Sequence, residues 1–224
     1  MTNPEVSSDY RVARHVVAKF QDAEYIEDIV FEYRYLRSKG FNVVTRIRGH
    51  EFRLSGLKYF EVVSDLLDQL PMTSSIMFPH KVIVSGNSTQ KVTELEEWLY
   101  PYKIRGASTV MYKLRLALSE SPVETQRHTT FGKAAEEFRR ILGNELHLHV
   151  CYYCKFLVEY NEYGGTDYRH DQLYCLRDNS AYLDEIMQAY PRLRGHEPLL
   201  SYGTPEMDAL HSCSAFAYRN LPRL

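Results

Sequence analysis

Val110-Met111-Tyr112-Lys113-Leu114-Arg115-Leu116-Ala117-Leu118 is the cleanest period-two stretch in the chain. Val110, Tyr112, Leu114, Leu116 and Leu118 share one face, while Lys113 and Arg115 point the other way. Side chains of a strand alternate between faces, so this segment reads as a strand with one buried and one wet side. Such a strand suits an antiparallel sheet; parallel strands are covered on both faces and read as continuous apolar runs.

The flanking text extends that reading. Phe41 to Ile47 and His50 to Leu54 carry β-branched and aromatic residues on either side of Gly49, as two paired strands would. Leu57, Phe60, Val63, Leu67 and Leu70 recur at helical spacing, and Pro71 stops the pattern. Lys81 to Ser85 reads as a short strand closed by Gly86-Asn87, and Val92 to Tyr100 as a short helix carrying the only tryptophan, Trp98, and limited by Pro101. The polar interval 120–128 is the best boundary. After it Thr129 or Thr130 can cap a helix with Phe131, Ala134, Ala135, Phe138, Ile141 and Leu142 on one stripe and Gly143 at its end. A strand from Leu146 to Val150 follows, and a last helix is expected over about 180–190.

These elements predict an α+β protein, mainly an antiparallel sheet with packed helices and a C-terminal zinc-knuckle module. Residues 1–10 read as a loose N-terminus, 11–120 as the sheet region, and 129–224 as a helix plus four-cysteine module that can pack with it as one unit.

All four cysteines fall in the last third: Cys151, Cys154, Cys175 and Cys213. Four thiolates satisfy a tetrahedral zinc ion, and the two-residue gap of Cys151-Tyr152-Tyr153-Cys154 lets one turn of backbone aim two sulfurs at one metal. The turn Tyr163-Gly164-Gly165 would let Tyr168 to Leu176 return as a second strand carrying Cys175, with the fourth sulfur coming from the tail. Free buried thiols, two disulfides and a redox Cys-x-x-Cys are the rivals. The redox pair works at a helix N-terminus, and the flanks here read as strand. His147, His149 and Cys151 alternate on one side of a strand, and His211 is the natural substitute should Cys213 not be a ligand. A metal held by four sulfurs has no open position, so it is structural and not catalytic.

The 224 residues, net charge of −2 and 44% hydrophobic content describe an ordinary globular chain without a chain-wide affinity for nucleic acid. No apolar run is long enough to span a membrane, and Met1 to Glu5 lacks the layout of a secretory signal, so a cytoplasmic protein is expected, with thiols reduced and available to a metal. No phosphate-cradling glycine loop, His-Glu-x-x-His or Gly-x-Ser-x-Gly occurs. The carboxylate pairs Glu96/Glu97 and Glu136/Glu137 read as solvated helix faces. A basic cluster of Arg34, Arg37, Lys39, Arg46, Arg48 and Arg53, interleaved with Tyr33, Tyr35, Phe41 and Phe52, could stack single-stranded nucleic acid; the blander reading is the wet face of strands. The strip Val158 to Tyr163 is acidic and tyrosine-rich and suits a contact surface or, equally, a turn packed on the metal site.

Leu146 to Cys154, Tyr160-Asn161-Glu162-Tyr163-Gly164, Leu173 to Asp178 and Ser212-Cys213-Ser214-Ala215-Phe216 together resemble an uncharacterised bacterial family of about this length. In that family a helix leads into Cys-x-x-Cys, followed by a turn, a Cys-Phe-Arg-Asn-like strand and a late Cys-Pro-Glu-Phe-like segment. The resemblance spans about residues 130 to 220 and puts the family's four cysteines on Cys151, Cys154, Cys175 and Cys213. The chain departs from it at Glu162, where proline is usual, and at Ser214-Ala215, where Pro-Glu is usual. Similar small proteins sit near bacterial conflict and immunity genes. The resemblance brings no established activity with it and implies a bacterial, protein-binding, defence-related role; the structural zinc ion and the expectation of no catalytic residues come from the four cysteines and the absent motifs. A nucleic-acid-binding accessory protein is the first alternative. An enzyme built around groups such as His147, His149, Glu159 or His170 is the second.

Overall fold

The computed structural model describes residues 11–36, 40–56, 59–86, 89–104, 107–118, 121–154, 157–160, 172–175, 204–206 and 212. Among the described residues it is mostly antiparallel sheet with two helices, consistent with the α+β class expected and with a mainly-β class. Nine strands among the described residues form one hydrogen-bonded sheet and three more form a small one. The chain divides into two compact units, one of Met1–Phe78 with Leu99–Val110 and one of Pro79–Trp98 with Met111–Leu224.

The first unit holds β1 (Arg11–Gln21), β2 (Ile26–Leu36), β3 (Gly40–Ile47), β4 (His50–Gly56), the helix α1 (Tyr59–Asp68) and the start of β5 (Ser75–Gly86), in the strand order β4-β3-β2-β1-β5. The β3–β4 hairpin is the pair expected from the sequence. Its two-residue loop, Arg48 at φ 52 and Gly49 at φ 75, has both residues left-handed, as the twist of a tight hairpin requires. Arg48 tolerates this because its N–H donates to Glu27 Oε1 at 2.6 Å, its guanidinium pairs with Asp22, and it lies 5.3 Å from the Tyr25 ring centroid. Phe31, stacked on Tyr33 and tilted against Phe78, sits in the core. α1 presents Val62, Val63, Leu66 and Leu67 as buried residues and packs on β3 and β4. The outer face of β1 and β2 pairs His15 with Glu32, Val17 with Val30 and Lys19 with Asp28.

The second unit is built on the end of β5, the part of β6 (Thr89–Ile104) up to Trp98, the part of β7 (Ala107–Leu116) from Met111, β8 (Val123–Glu124) and β9 (His147–His149), which pairs with β5; the rest of β6 and β7 belongs to the first unit. β7 buries Tyr112, Leu114 and Leu116 as its alternation predicts; Leu118 lies past its end. The helix α2 (Phe131–Leu142) starts at Thr130, whose Oγ1 accepts from Lys133 N, and stops at Gly143, whose N–H reaches Arg139 O and Arg140 O at φ 66. Its apolar stripe is buried except for Ile141, which is 46% exposed.

Two expectations are corrected. Val92 to Tyr100 is not a helix but the middle of the 16-residue β6. Leu95 and Leu99 are four residues apart, a spacing that fits both periods, and both are buried on one face of the strand. With the helix goes the reading of Glu96/Glu97 as a helix face, for the two carboxylates lie on opposite sides of a strand. β5 begins six residues before Lys81 and runs through Pro79. The proline is accommodated because β5 pairs with β1 over Ser75–Met77 and with β9 over Ile83–Ser85, leaving position 79 between the two ladders.

The expectations for residues 1–10, for the turn Tyr163-Gly164-Gly165 and for a helix over about 180–190 lie outside the described residues. The small sheet is β10 (Leu157–Tyr160), β11 (Gln172–Cys175) and β12 (Thr204–Glu206), antiparallel in that order. β11 lies within the segment expected to return as a second strand with Cys175.

Candidate metal centre

The Cys-x-x-Cys is placed by the strand before it and by the two tyrosines inside it. β9 buries Leu148 against β5, and Val150 is fully buried just beyond it. The chain then closes a 3-10 turn, Cys151–Tyr153, through Tyr153 N donating to Val150 O at 3.0 Å. The expected alternation of His147, His149 and Cys151 ends at this turn; the Cys151 side chain lies outside the described residues. Tyr152 meets Phe131 edge to face with ring centroids 5.2 Å apart. Tyr153, 3% exposed, donates its phenol hydrogen to Ala135 O at 2.6 Å. Aromatic spacers thus root the turn on α2, and Cys154 beside them is 4% exposed. Strand precedes the turn and β10 follows it, so the thiols do not sit at the N-terminus of an α-helix.

Cys175 is the last residue of β11 and pairs in register with Leu157, three residues past Cys154. Cys213 and the Cys175 side chain lie outside the described residues. Ser212, the residue before Cys213, is described. Its Oγ donates to His149 O at 2.7 Å and accepts from Ile83 N at 3.3 Å. The residue before Cys213 thus meets β9 two residues before Cys151, and Cys175 lies opposite a residue three past Cys154. Among the described residues no three His, Cys, Asp or Glu side chains converge.

Of the four sulfurs expected to bind a metal, only that of Cys154 lies among the described residues. Cys154 is withdrawn from water, as a sulfur closed around an ion should be. The small sheet that carries Cys175 has strands of only four, four and three residues.

Beside the turn, His149 Nε2 is 2.7 Å from Ser85 Oγ. Burial first, and the neighbouring His147 second, hold its imidazole below the ordinary histidine range. Of the other residues named for an enzymatic alternative, His147 is exposed on β9, whereas the Glu159 side chain and His170 lie outside the described residues.

The basic cluster is described in part. Arg46 and Arg53 both hold Glu51, with contacts of 2.9 and 2.7 Å. These hydrogen bonds, Arg46's first, keep the Glu51 carboxyl below its usual range. Tyr33 is core, 4% exposed, rather than a stacking platform. Arg37, Lys39 and the side chains of Tyr35 and Phe41 lie outside the described residues.

Two polar groupings had no signal in the sequence, because their members are far apart along it. His128 Nε2 lies 2.6 Å from Glu137 Oε2, which also accepts from Gln126 N at 2.9 Å and ties the segment following β8 to α2. On the buried face of the sheet His80 Nε2 lies 3.3 Å from Glu97 Oε2. Tyr112 is there too, its phenol pushed well above its ordinary pKa by burial and then by Glu97. Ser212 was equally invisible: its role depends on a partner 63 residues away.

No family model, no curated protein and no solved structure matches the chain. Among the described residues no helix is long and apolar enough to cross a membrane.

Proposed function

We propose that the chain is a cytoplasmic, non-catalytic binding protein. One structural zinc ion, held by Cys151, Cys154, Cys175 and Cys213, fixes the form of the C-terminal region that meets a protein partner. The observation that carries this reading is the meeting of the cysteine-bearing segments: Ser212 on His149, two residues before Cys151, and Cys175 opposite Leu157, three residues after Cys154. Four sulfurs around zinc leave no position for substrate, and that argues for a shaped surface rather than chemistry. An immunity or defence-system component is the specific form implied by the resemblance to the bacterial four-cysteine family.

Nucleic acid is disfavoured as the partner because Arg46 and Arg53 are engaged by Glu51 and Tyr33 is buried. A joint measurement of metal content and nucleic-acid affinity tests the reading. About one zinc per chain is expected, with no binding to single-stranded nucleic acid that falls steeply as salt rises. Metal-free folded protein, or steep salt-dependent binding, would overturn it.

A further inference from the structure

The outer face of the β1–β2 hairpin sets exposed apolar side chains between rows of charge. Val17 and Val30 are register partners, so their side chains stand opposite each other on one face. They are 55% and 47% exposed, while Ala18, Phe20, Ile29 and Phe31 fill the core from the other face. In the next row on one side Lys19 pairs with Asp28, and Ile26, 64% exposed, continues the face beyond them. In the next row on the other side His15 pairs with Glu32. These four polar side chains are exposed, and among the described residues none of them joins a salt bridge. Their charge is open to a surface laid over the hairpin.

The pattern is complementary to itself in one arrangement. A twofold axis parallel to the strands, running between β1 and β2, lays β1 of one copy over β2 of the other and keeps each row in step. Val17 then meets the partner subunit's Val30, Lys19 meets the partner subunit's Asp28, and His15 meets the partner subunit's Glu32. A twofold axis perpendicular to the strands through the valine row would instead set His15 over Lys19 and Glu32 over Asp28, like sign on like. Charge therefore selects the first arrangement, which is also the aligned way in which two sheets pack face to face.

We propose that a second copy of this chain docks face to face on the β1–β2 hairpin about a twofold axis parallel to the strands, with Val17 and Val30 at the centre and Lys19–Asp28 contacts beside them. The contact lies wholly in the first unit and needs no metal. Only a few side chains come from each copy, against the roughly 20–30 of a standard interface, so the dimer is weak, about micromolar or weaker.

Sedimentation equilibrium of the full chain, from about 10 μM to about 1 mM, tests this. The average mass of the wild type should rise with concentration toward that of two chains and no further, because a twofold contact closes on itself. All the substituted side chains are exposed, so each variant is expected to fold as the wild type does. Val30→Glu should abolish the association. Lys19→Glu and Asp28→Lys should each weaken it by about tenfold or more, since both contacts of the dimer then set like charges together. An equimolar mixture of the two variants should regain it, because each contact of the mixed dimer again sets a carboxylate against an ammonium while neither chain regains its own cross-strand pair. A wild type that stays monomeric throughout would overturn the proposal, as would association indifferent to these substitutions or a mixture no better than its components.

Discussion

Tyr153 donates to the carbonyl oxygen of Ala135 across 2.6 Å, joining the Cys-x-x-Cys turn to the middle of α2 in a buried setting. The bond makes the spacer between the first two cysteines part of the core. Tyr153→Phe keeps the ring and removes only the hydroxyl. It should cost about 1 kcal/mol, because Ala135 O keeps its place in the helix ladder and only a typical net hydrogen bond is lost. Chemical denaturation measures this. An unchanged midpoint would mean the hydroxyl does not fasten the turn.

Gly86 and Gly49 predict different costs for the same substitution. A Cβ on Gly86 would run into the carbonyl oxygen of Glu145 and come within 2.8 Å of Leu146 Cδ2, where backbone must shift. Gly86→Ala should therefore destabilise by about 1–3 kcal/mol through overpacking. Gly49 has open space around it but sits at φ 75, so Gly49→Ala meets only backbone strain of about 1 kcal/mol. Paired melts decide the matter; a larger loss at Gly49 would contradict the close approach at Gly86.

The sequence disclosed those parts of the fold that local rules govern. β7 was legible from strict alternation and α2 from Thr130, its apolar stripe and Gly143, all within one element. β6 was not, because Leu95 and Leu99 suit helix and strand alike, and only pairing with neighbours selects the strand. Exposed Val17, Ile26 and Val30 blur the alternation of β1 and β2 in the same way. At the candidate centre the strand carrying Cys175 was readable, but its partner was not: β11 pairs with β10, Leu157–Tyr160, whereas the strand leading into the Cys-x-x-Cys pairs with β5. The contact of Ser212 with His149 was not readable either, since a long-range hydrogen bond leaves no trace in local spacing.

Glu137 sets an acid dependence for the junction of β8 and α2. The hydrogen bond with His128 holds its carboxyl below the ordinary range, against the opposing effect of burial, with the Gln126 N–H and Arg140 adding to the depression. A carboxyl depressed in the folded state stabilises above its unfolded pKa, and that stabilisation is lost as pH falls through the folded value. Glu137→Gln should thus be less stable than wild type at pH 7, and the gap should close as both are acidified below the carboxylate range. A gap that stays constant with pH would sink this assignment.

Metal removal should act locally. Cys151→Ser takes one sulfur from the proposed set, and because zinc binding is coupled to folding it should destabilise the C-terminal region by several kcal/mol, well beyond the roughly 0.5 kcal/mol of an ordinary surface change. Proteolysis mapping is the readout. New cleavage is expected beyond about residue 154, with β1–β4 resistant; an unaltered pattern would count against the metal module.

The most direct test of the zinc site is X-ray absorption at the zinc edge on reduced, purified protein. Four sulfur neighbours at about 2.3 Å, with one zinc per chain, is the predicted result. A shell containing water or other oxygen ligands would contradict it, as would protein that folds without zinc.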